Sequence, residues 1–499
     1  MTMSPHNPLP RRTLLRGAVA AGAGAAAWSL LDQPSATGAP GVDSGSYTIR
    51  FDKGRRQTIW GLGFEIQSDS IGSGNKGMPD VASGVPYDLT ESERDRFYQQ
   101  LLKGGNDRGF RYCRLAMGLY HRGLDSTKKH MVDRYKGQTA LLADMIKQSG
   151  VEGVAAEYWS PAPGWKTNKS YIGGRLASFS PEALDALGDA MVGDLKYLTD
   201  RGVPISMWGL QNEPRYKTKY SSCQYTPDQY LKTFKAVAPK IRKQYPEVIV
   251  HADSQDGWGG RIGKALKADP DALRHVDAWT YHRLDKGYHN SNRQITEDFS
   301  SGRAGKPVFC NEFEYLHGGT TDWRTINTAQ SIMNWMTFHN SPTWFWLHAL
   351  KPTQNSESDG YSLGFWRPPN ARNPDRFKHL KERHWEFNPR NWNAVAGFLR
   401  YMPWDSVRYH VDEPKRANGK PYTEHRIMAW RTPHDKPVFV VTNRSEKDAF
   451  TCTIDTQTKG EFHGHRYGPS THDKSVGSKA GPKLTLTLPP LSIEFWTAG

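Results

Sequence analysis

Eight short apolar segments alternate with helix-forming stretches between residues 59 and 348, and this alternation constrains the fold more than any other feature. The segments are IWGLGFE (59–65), FRYCRLAM (110–117), VAAEYW (154–159), PISMWGLQ (204–211), VIVHA (248–252), VDAWTYH (277–283 region), PVFCNE (307–312) and TWFWLH (343–348). Helix ends can be read between them. Thr90 and Glu93 are spaced as a capping box, and Thr226-Pro227 with Gln229 opens another helix. Ser180-Pro181 places proline at the first helical position, and Gly150 stands where a glycine would end the helix at 138–148. Right-handed crossovers put the helices on one side of a parallel sheet. Eight such units therefore predict a closed (β/α)8 TIM barrel. A doubly wound open sheet is the competing architecture. No GxGxxG follows the first strand and no Walker motif occurs, which speaks against it.

Past about residue 404 the period changes to two: HRIMAW (425–430), PVFVVTN (437–443), AFTCTID (449–455), KLTLTL (483–488) and LSIEFW (491–496). This pattern predicts a side antiparallel β-sandwich. SYTIRF (46–51) also reads as a strand and is expected to join it. The expected organisation is a signal peptide over 1–39, an N-terminal sandwich strand over 40–56, a catalytic barrel over 57–403 and the sandwich over 404–499. The signal reading rests on Arg11-Arg12 ahead of an Ala/Gly-rich apolar run to about Leu31. It resembles a bacterial twin-arginine export signal and implies a secreted protein. SATGA (35–39) could hold the cleavage site.

The chain has 499 residues and a net charge of +15; 37% of residues are hydrophobic and 23% charged. This composition argues against an integral membrane protein and against long disorder. The four cysteines (Cys113, Cys223, Cys310, Cys452) are too few for a disulfide scaffold and lack zinc spacing. They are expected as buried thiols. The positive charge raises nucleic acid, anionic membranes and acidic polysaccharides as partners.

In barrels of this kind the site is built at the C-terminal strand ends. The fourth strand ends in Asn212-Glu213 and the seventh in Glu312. Strands four and seven stand opposite each other, so the two carboxylates can face across the mouth. Two such carboxylates flanking a glycosidic bond are sufficient for glycoside hydrolysis, one as acid and one as nucleophile or base. No metal and no organic cofactor is needed for that chemistry.

At these residues the chain resembles glycoside hydrolase family 30, in the clan of retaining (β/α)8 glycosidases. The similar pieces are QTIWGLGFEIQSDS (57–70), YCRLAMG (112–118), EYWSPAPGWKTN (157–168), GGRL (173–176), GLQNEP (209–214), AWTYH (278–282), GKPVFCNE (305–312) and NPRNWNAVAGFLRYMPWDSVRYHV (388–411). The resemblance implies Glu213 as general acid/base, Glu312 as nucleophile, Asn212 on the sugar hydroxyl beside the anomeric centre, and Arg114 beneath the nucleophile. Glu314 is the competing nucleophile, since residues two apart on a strand point the same way. The mechanism needs a raised Glu213 pKa, supplied by aromatic walls and the charge of Glu312.

Aromatic strand ends are candidate sugar platforms: Trp159 and Trp346 first, then Trp165, Trp208 and Trp366. Tyr281 and His282 end strand six, where the clan often places a tyrosine on the nucleophile. Glu65 and Gln67 could bind hydroxyls. In the loop at 350–388, NSESDG (355–360) is too irregular for calcium. Arg367 or Arg372 could meet a uronic carboxylate, as in relatives that cut glucuronic-acid-bearing xylan. The expected function is a retaining hydrolase of β-linked polysaccharide or oligosaccharide, galactan- or xylan-type favoured. The expected partner is a carbohydrate substrate, with no nucleic acid, no membrane and a monomeric state. The alternative is a non-catalytic carbohydrate-binding protein on a degenerate barrel, against which both strand-end glutamates speak.

Overall fold

The computed structural model describes residues 44–66, 89–105, 108–255, 260–282, 304–314, 321–353, 362–368, 375–414 and 425–499. The segment expected as an export signal, Gln67, Arg372 and the 355–360 segment lie outside these. Each of the eight anticipated segments forms one strand of a closed parallel barrel. The strands are β1 (Gly61–Ile66), β2 (Tyr112–Met117), β3 (Gly153–Tyr158), β4 (Ile205–Gly209), β5 (Ile249–Ala252), β6 (Ala278–His282), β7 (Val308–Phe313) and β8 (Thr343–Trp346). Closure is through β8 onto β1, with Trp344 opposite Leu62 and Trp346 opposite Phe64.

The helix signals hold locally. Ser180 Oγ accepts from the Ala183 amide at the start of Pro181–Thr199, and Thr226 with Gln229 makes a complete capping box on Pro227–Gln244. Gly150 ends Gln138–Ser149 at a φ of 72°, a left-handed conformation that favours glycine. All four cysteines are buried free thiols.

Inside the barrel, Trp60, Tyr112, Ala155, Met207, Ile249, Ala278, Phe309 and Phe345 form an apolar floor. Outside it, alternate strand residues pack on the surrounding helices in the main core. No helix among the described residues is long and apolar enough to cross a membrane.

The β-sandwich pairs a four-stranded sheet with a seven-stranded one. Ser44–Ile49 lies in the smaller sheet, parallel to Phe450–Asp455 and antiparallel to Val411–Asp412. The N-terminal contribution is two strands rather than one, because Arg55–Thr58 pairs with Val407–Tyr409 in the larger sheet. Two further strands, Glu461–Gly468 and Thr471–Ala480, form a hairpin on that sheet's edge. The segment after β8 contains a small sheet of its own, His348–Pro352, Ser362–Trp366 and Trp385–Phe387. The sandwich is tied to the barrel helices by polar contacts such as Arg426 Nε to Asn334 Oδ1 at 3.0 Å and Gln330 Nε2 to Thr442 Oγ1 at 3.0 Å.

Candidate active site

Two residues beyond the apolar floor, several of the strands turn polar. Arg114, centred on β2, is buried and gathers the cluster. Its Nη1 pairs with Glu65 Oε2 of β1 at 2.6 Å, and the same nitrogen donates to Glu312 Oε2 of β7. Its Nε and Nη2 reach Glu157 Oε2 of β3 at 2.8 and 2.6 Å. Nη2 also donates to Asn212 Oδ1 at 2.7 Å. The ring of Trp159 lies 4.4 Å from the guanidinium carbon, a cation–π contact.

The Asn212-Glu213 step is held from both sides. The Asn212 amide donates to the Tyr158 carbonyl at 2.7 Å and the Glu213 amide to the Ser254 carbonyl at 2.9 Å. Glu213 adopts a φ of +45°, a left-handed backbone that costs about 1–3 kcal/mol for a non-glycine residue. These two bonds to neighbouring strands over-determine it. His282, at the end of β6, sits between the glutamates. Its Nδ1 is 3.3 Å from Glu213 Oε1, and its Nε2 is 3.6 Å from Glu312 Oε2 and 2.9 Å from Ser254 Oγ. Asn311 Nδ2 braces Ser254 Oγ at 2.7 Å. One oxygen of Glu213, one oxygen of Glu312 and an imidazole nitrogen all lie within 4.8 Å of one another.

The electrostatics follow from this packing. Burial alone would drive Arg114 toward neutrality, but Glu157, Glu65 and Glu312 hold its guanidinium protonated. Burial would raise Glu157, yet Arg114 first, then His282 and the Ser254 hydroxyl, keep it below the usual carboxylate range. Burial would lower His282, but Glu312 and Glu213 push it up instead, so the cation is favoured between the two glutamates. His251 behaves oppositely: burial takes it down to about 4 and leaves it neutral beneath the cluster.

The structure therefore brings Glu213, Glu312, Asn212, Arg114, His282, Glu65 and Trp159 together. Glu314 Oε2 stands 2.7 Å from His348 Nδ1. Two expectations need correction. Tyr281 does not face the mouth: it alternates with the inward Thr280 and His282 and packs on Trp335 of the helix Trp323–His339. The position beside Glu312 is taken by His282. Trp346 follows the floor residue Phe345 and so points outward. Its ring packs on Phe313 and Trp344 at 0% exposure and offers no face to a ligand.

The secondary platforms are also engaged elsewhere. Trp208 packs on Phe234, Trp366 is buried, and Trp165 Nε1 donates to the Lys129 carbonyl at 2.8 Å. Arg367 is tied within its own segment, to the Leu380 carbonyl at 2.9 Å and to Glu382 at 3.5 Å. Sequence reasoning missed Glu157, Ser254, His251 and Asn311. The signal for Glu157 was present: a lone carboxylate in the apolar run VAAEYW must be buried, and a buried carboxylate needs a cation.

No protein-family model matches the chain. Among solved structures it is similar to the glycoside hydrolase family 30 subfamily 8 xylanase of Clostridium acetobutylicum, at 16% identity over 91% of this chain and 99% of that one, TM-score 0.64. It is similar to the catalytic domain of the family 30 xylanase C of Talaromyces cellulolyticus, at 16% identity over 91% and 100%, TM-score 0.66. A family 51 arabinofuranosidase from Xanthomonas axonopodis pv. citri matches at 9% identity over 91% and 100%, TM-score 0.60. The fold, a (β/α)8 barrel with a side β-sandwich, is thus one found in glycoside hydrolases.

Proposed function

We propose that the protein is a retaining glycoside hydrolase acting on a β-linked polysaccharide or oligosaccharide, exported by the twin-arginine route. The observation that carries this reading is the close approach of Glu213 and Glu312, with carboxylate oxygens within 4.8 Å across the mouth. Retaining pairs stand about 5–5.5 Å apart, whereas inverting pairs leave room for a water at about 6.5–9.5 Å.

The steps follow from the geometry. Glu312, oriented by Arg114, attacks the anomeric carbon. The glycosidic C–O bond breaks as Glu213 gives its proton to the leaving oxygen. The resulting glycosyl ester on Glu312 is then hydrolysed by a water whose proton returns to Glu213. The raised His282, 3.3 Å from Glu213, holds a proton one hydrogen bond from where the acid needs it. Asn212, fixed by Arg114, meets the neighbouring sugar hydroxyl, and Trp159 walls the site. A galactan- or xylan-type chain is the favoured substrate, a choice supported by the fold shared with family 30 xylanases.

The test is hydrolysis of a panel of aryl β-glycosides and β-linked polysaccharides, with the anomer of the first product read by proton NMR. The β-anomer should appear first. Glu312→Gln should abolish turnover, and Glu213→Gln should lower it by about 10²–10⁴-fold on poor leaving groups. Wild-type rates in both variants would refute the assignment.

A further inference from the structure

The loops that follow β2, β3 and β4 are charged quite differently from the segments that follow β6, β7 and β8 in sequence. Residues 119–137, 160–177 and 210–226 carry eleven lysines and arginines against three carboxylates, a net +8 out of the chain's +15. Residues 283–303, 315–322 and 347–388, which follow β6, β7 and β8, carry the same eleven cations but nine carboxylates. The excess therefore lies in a shortage of acids in the segments after β2, β3 and β4.

These three loops are stitched into one ledge. Tyr171 Oη donates to the Arg122 carbonyl at 2.9 Å, and the Gly164 amide to the Lys128 carbonyl at 2.7 Å. The Ser222 amide donates to the Tyr171 carbonyl at 3.0 Å, and Ser221 Oγ to the Gly118 carbonyl at 2.6 Å. At the centre, the buried Lys166 Nζ donates to Ser160 Oγ, the Tyr171 carbonyl and the Ser222 carbonyl at 2.9, 3.0 and 2.7 Å. Lys128, Lys129, Lys169, Lys217 and Lys219 are exposed on the ledge, and none forms an ion pair among the described residues. Tyr220, next to Lys219, is 36% exposed. Burial first, then the carboxylates of Glu213, Glu312, Glu314 and Glu65, push its phenol well up.

We infer that this ledge is a binding surface for a carboxylate-bearing polysaccharide, with uronate groups lying along the lysines and a sugar ring on Tyr220. The inference rests on the glycosidase reading and narrows its substrate class. Unpaired cations on a stitched surface attract a polyanion over about a Debye length, and ordered loops give up little entropy on binding. A neutral chain would gain none of that long-range attraction.

The probes are polygalacturonate and its carboxyl-reduced form, with affinity measured on the full chain at 20 and 300 mM NaCl. Wild type should bind the carboxylated polymer at least tenfold tighter at low salt, and the preference should collapse at high salt. Lys169→Gln/Lys217→Gln/Lys219→Gln, checked for folding by near-UV circular dichroism, should lose tenfold or more of that affinity. Arg376→Gln/Lys378→Gln/Lys381→Gln, with the same change in net charge on the segment after β8, should stay within twofold of wild type. Equal affinity for the reduced polymer, equal losses in both variants, or equally tight binding of duplex DNA would overturn the inference. If wild type cleaves no β-glycoside at all, the glycosidase reading fails, while the binding comparison still decides the ledge.

Discussion

Two layers of the barrel interior lie one side-chain repeat apart and obey opposite rules. On β2 Tyr112 is followed two residues later by Arg114, on β3 Ala155 by Glu157, on β5 Ile249 by His251 and on β7 Phe309 by Asn311. The first member of each pair belongs to the apolar floor, where shape and area stabilise the barrel. The second belongs to a buried polar layer whose members are costly singly and tolerable only as a network. Such a layer adds little stability over an apolar one of equal volume. Its residence at the mouth of the barrel is therefore read as function.

The largest effect should come from removing the shared cation. Arg114→Met leaves Glu65, Glu157 and Glu312 buried without their counter-charge. Denaturant titration should show a loss of about 3–5 kcal/mol, and activity should vanish. Floor and polar layer can then be separated on a single strand. Met207→Ala empties part of the floor and should cost about 2–5 kcal/mol, with kcat/KM of the folded enzyme kept within a few-fold. Gly209→Ala, two residues on, would place a methyl group 2.3 Å from the His251 ring. It should cost only about 1–3 kcal/mol but lower kcat/KM more than tenfold, because it displaces His251 within the buried polar layer. Equal activity losses in the two variants would erase the distinction.

The smallest effect sharpens what the cation contributes. Glu157 and Asp194 are both fully buried, but Asp194 faces the Met131 amide and the Tyr158 hydroxyl rather than a guanidinium. Burial takes it up to about 8. A carboxyl raised from 3.8 to 8 is protonated in the fold and ionised in the unfolded chain across that range, so stability is lost as pH rises through it. Asp194→Asn retains the hydrogen bonds without that loss. Its stability relative to wild type should climb with pH, by about 1.4 kcal/mol between pH 5 and 6, and a flat difference would contradict the assigned protonation state.

The barrel was legible because each strand is a short apolar run closed by readable helix caps. Much of the site was legible because Glu213, Glu312 and Arg114 stand at strand ends within family-like motifs. The misses have physical causes. THDKSVGSKA forms an edge strand whose side chains are mostly exposed on both faces, so it lacks any period-two apolar pattern. Tyr281 and His282 are adjacent, and strand alternation sends one inward and the other outward. Only the register of β6 shows which is which, through Ala278 on the floor. Trp346 was misplaced for the same reason, one residue past Phe345. Ser254 and Asn311 became visible only when the ends of β5 and β7 met around His282.

The central claim is that Glu312 is the nucleophile of a retaining pair completed by Glu213. Its most direct test is trapping with the 2-deoxy-2-fluoro analogue of whichever aryl β-glycoside is turned over, followed by peptide mass spectrometry. The account predicts one covalent glycosyl adduct, on Glu312. An adduct on Glu314, or turnover with an inverted first product and no adduct, would contradict it.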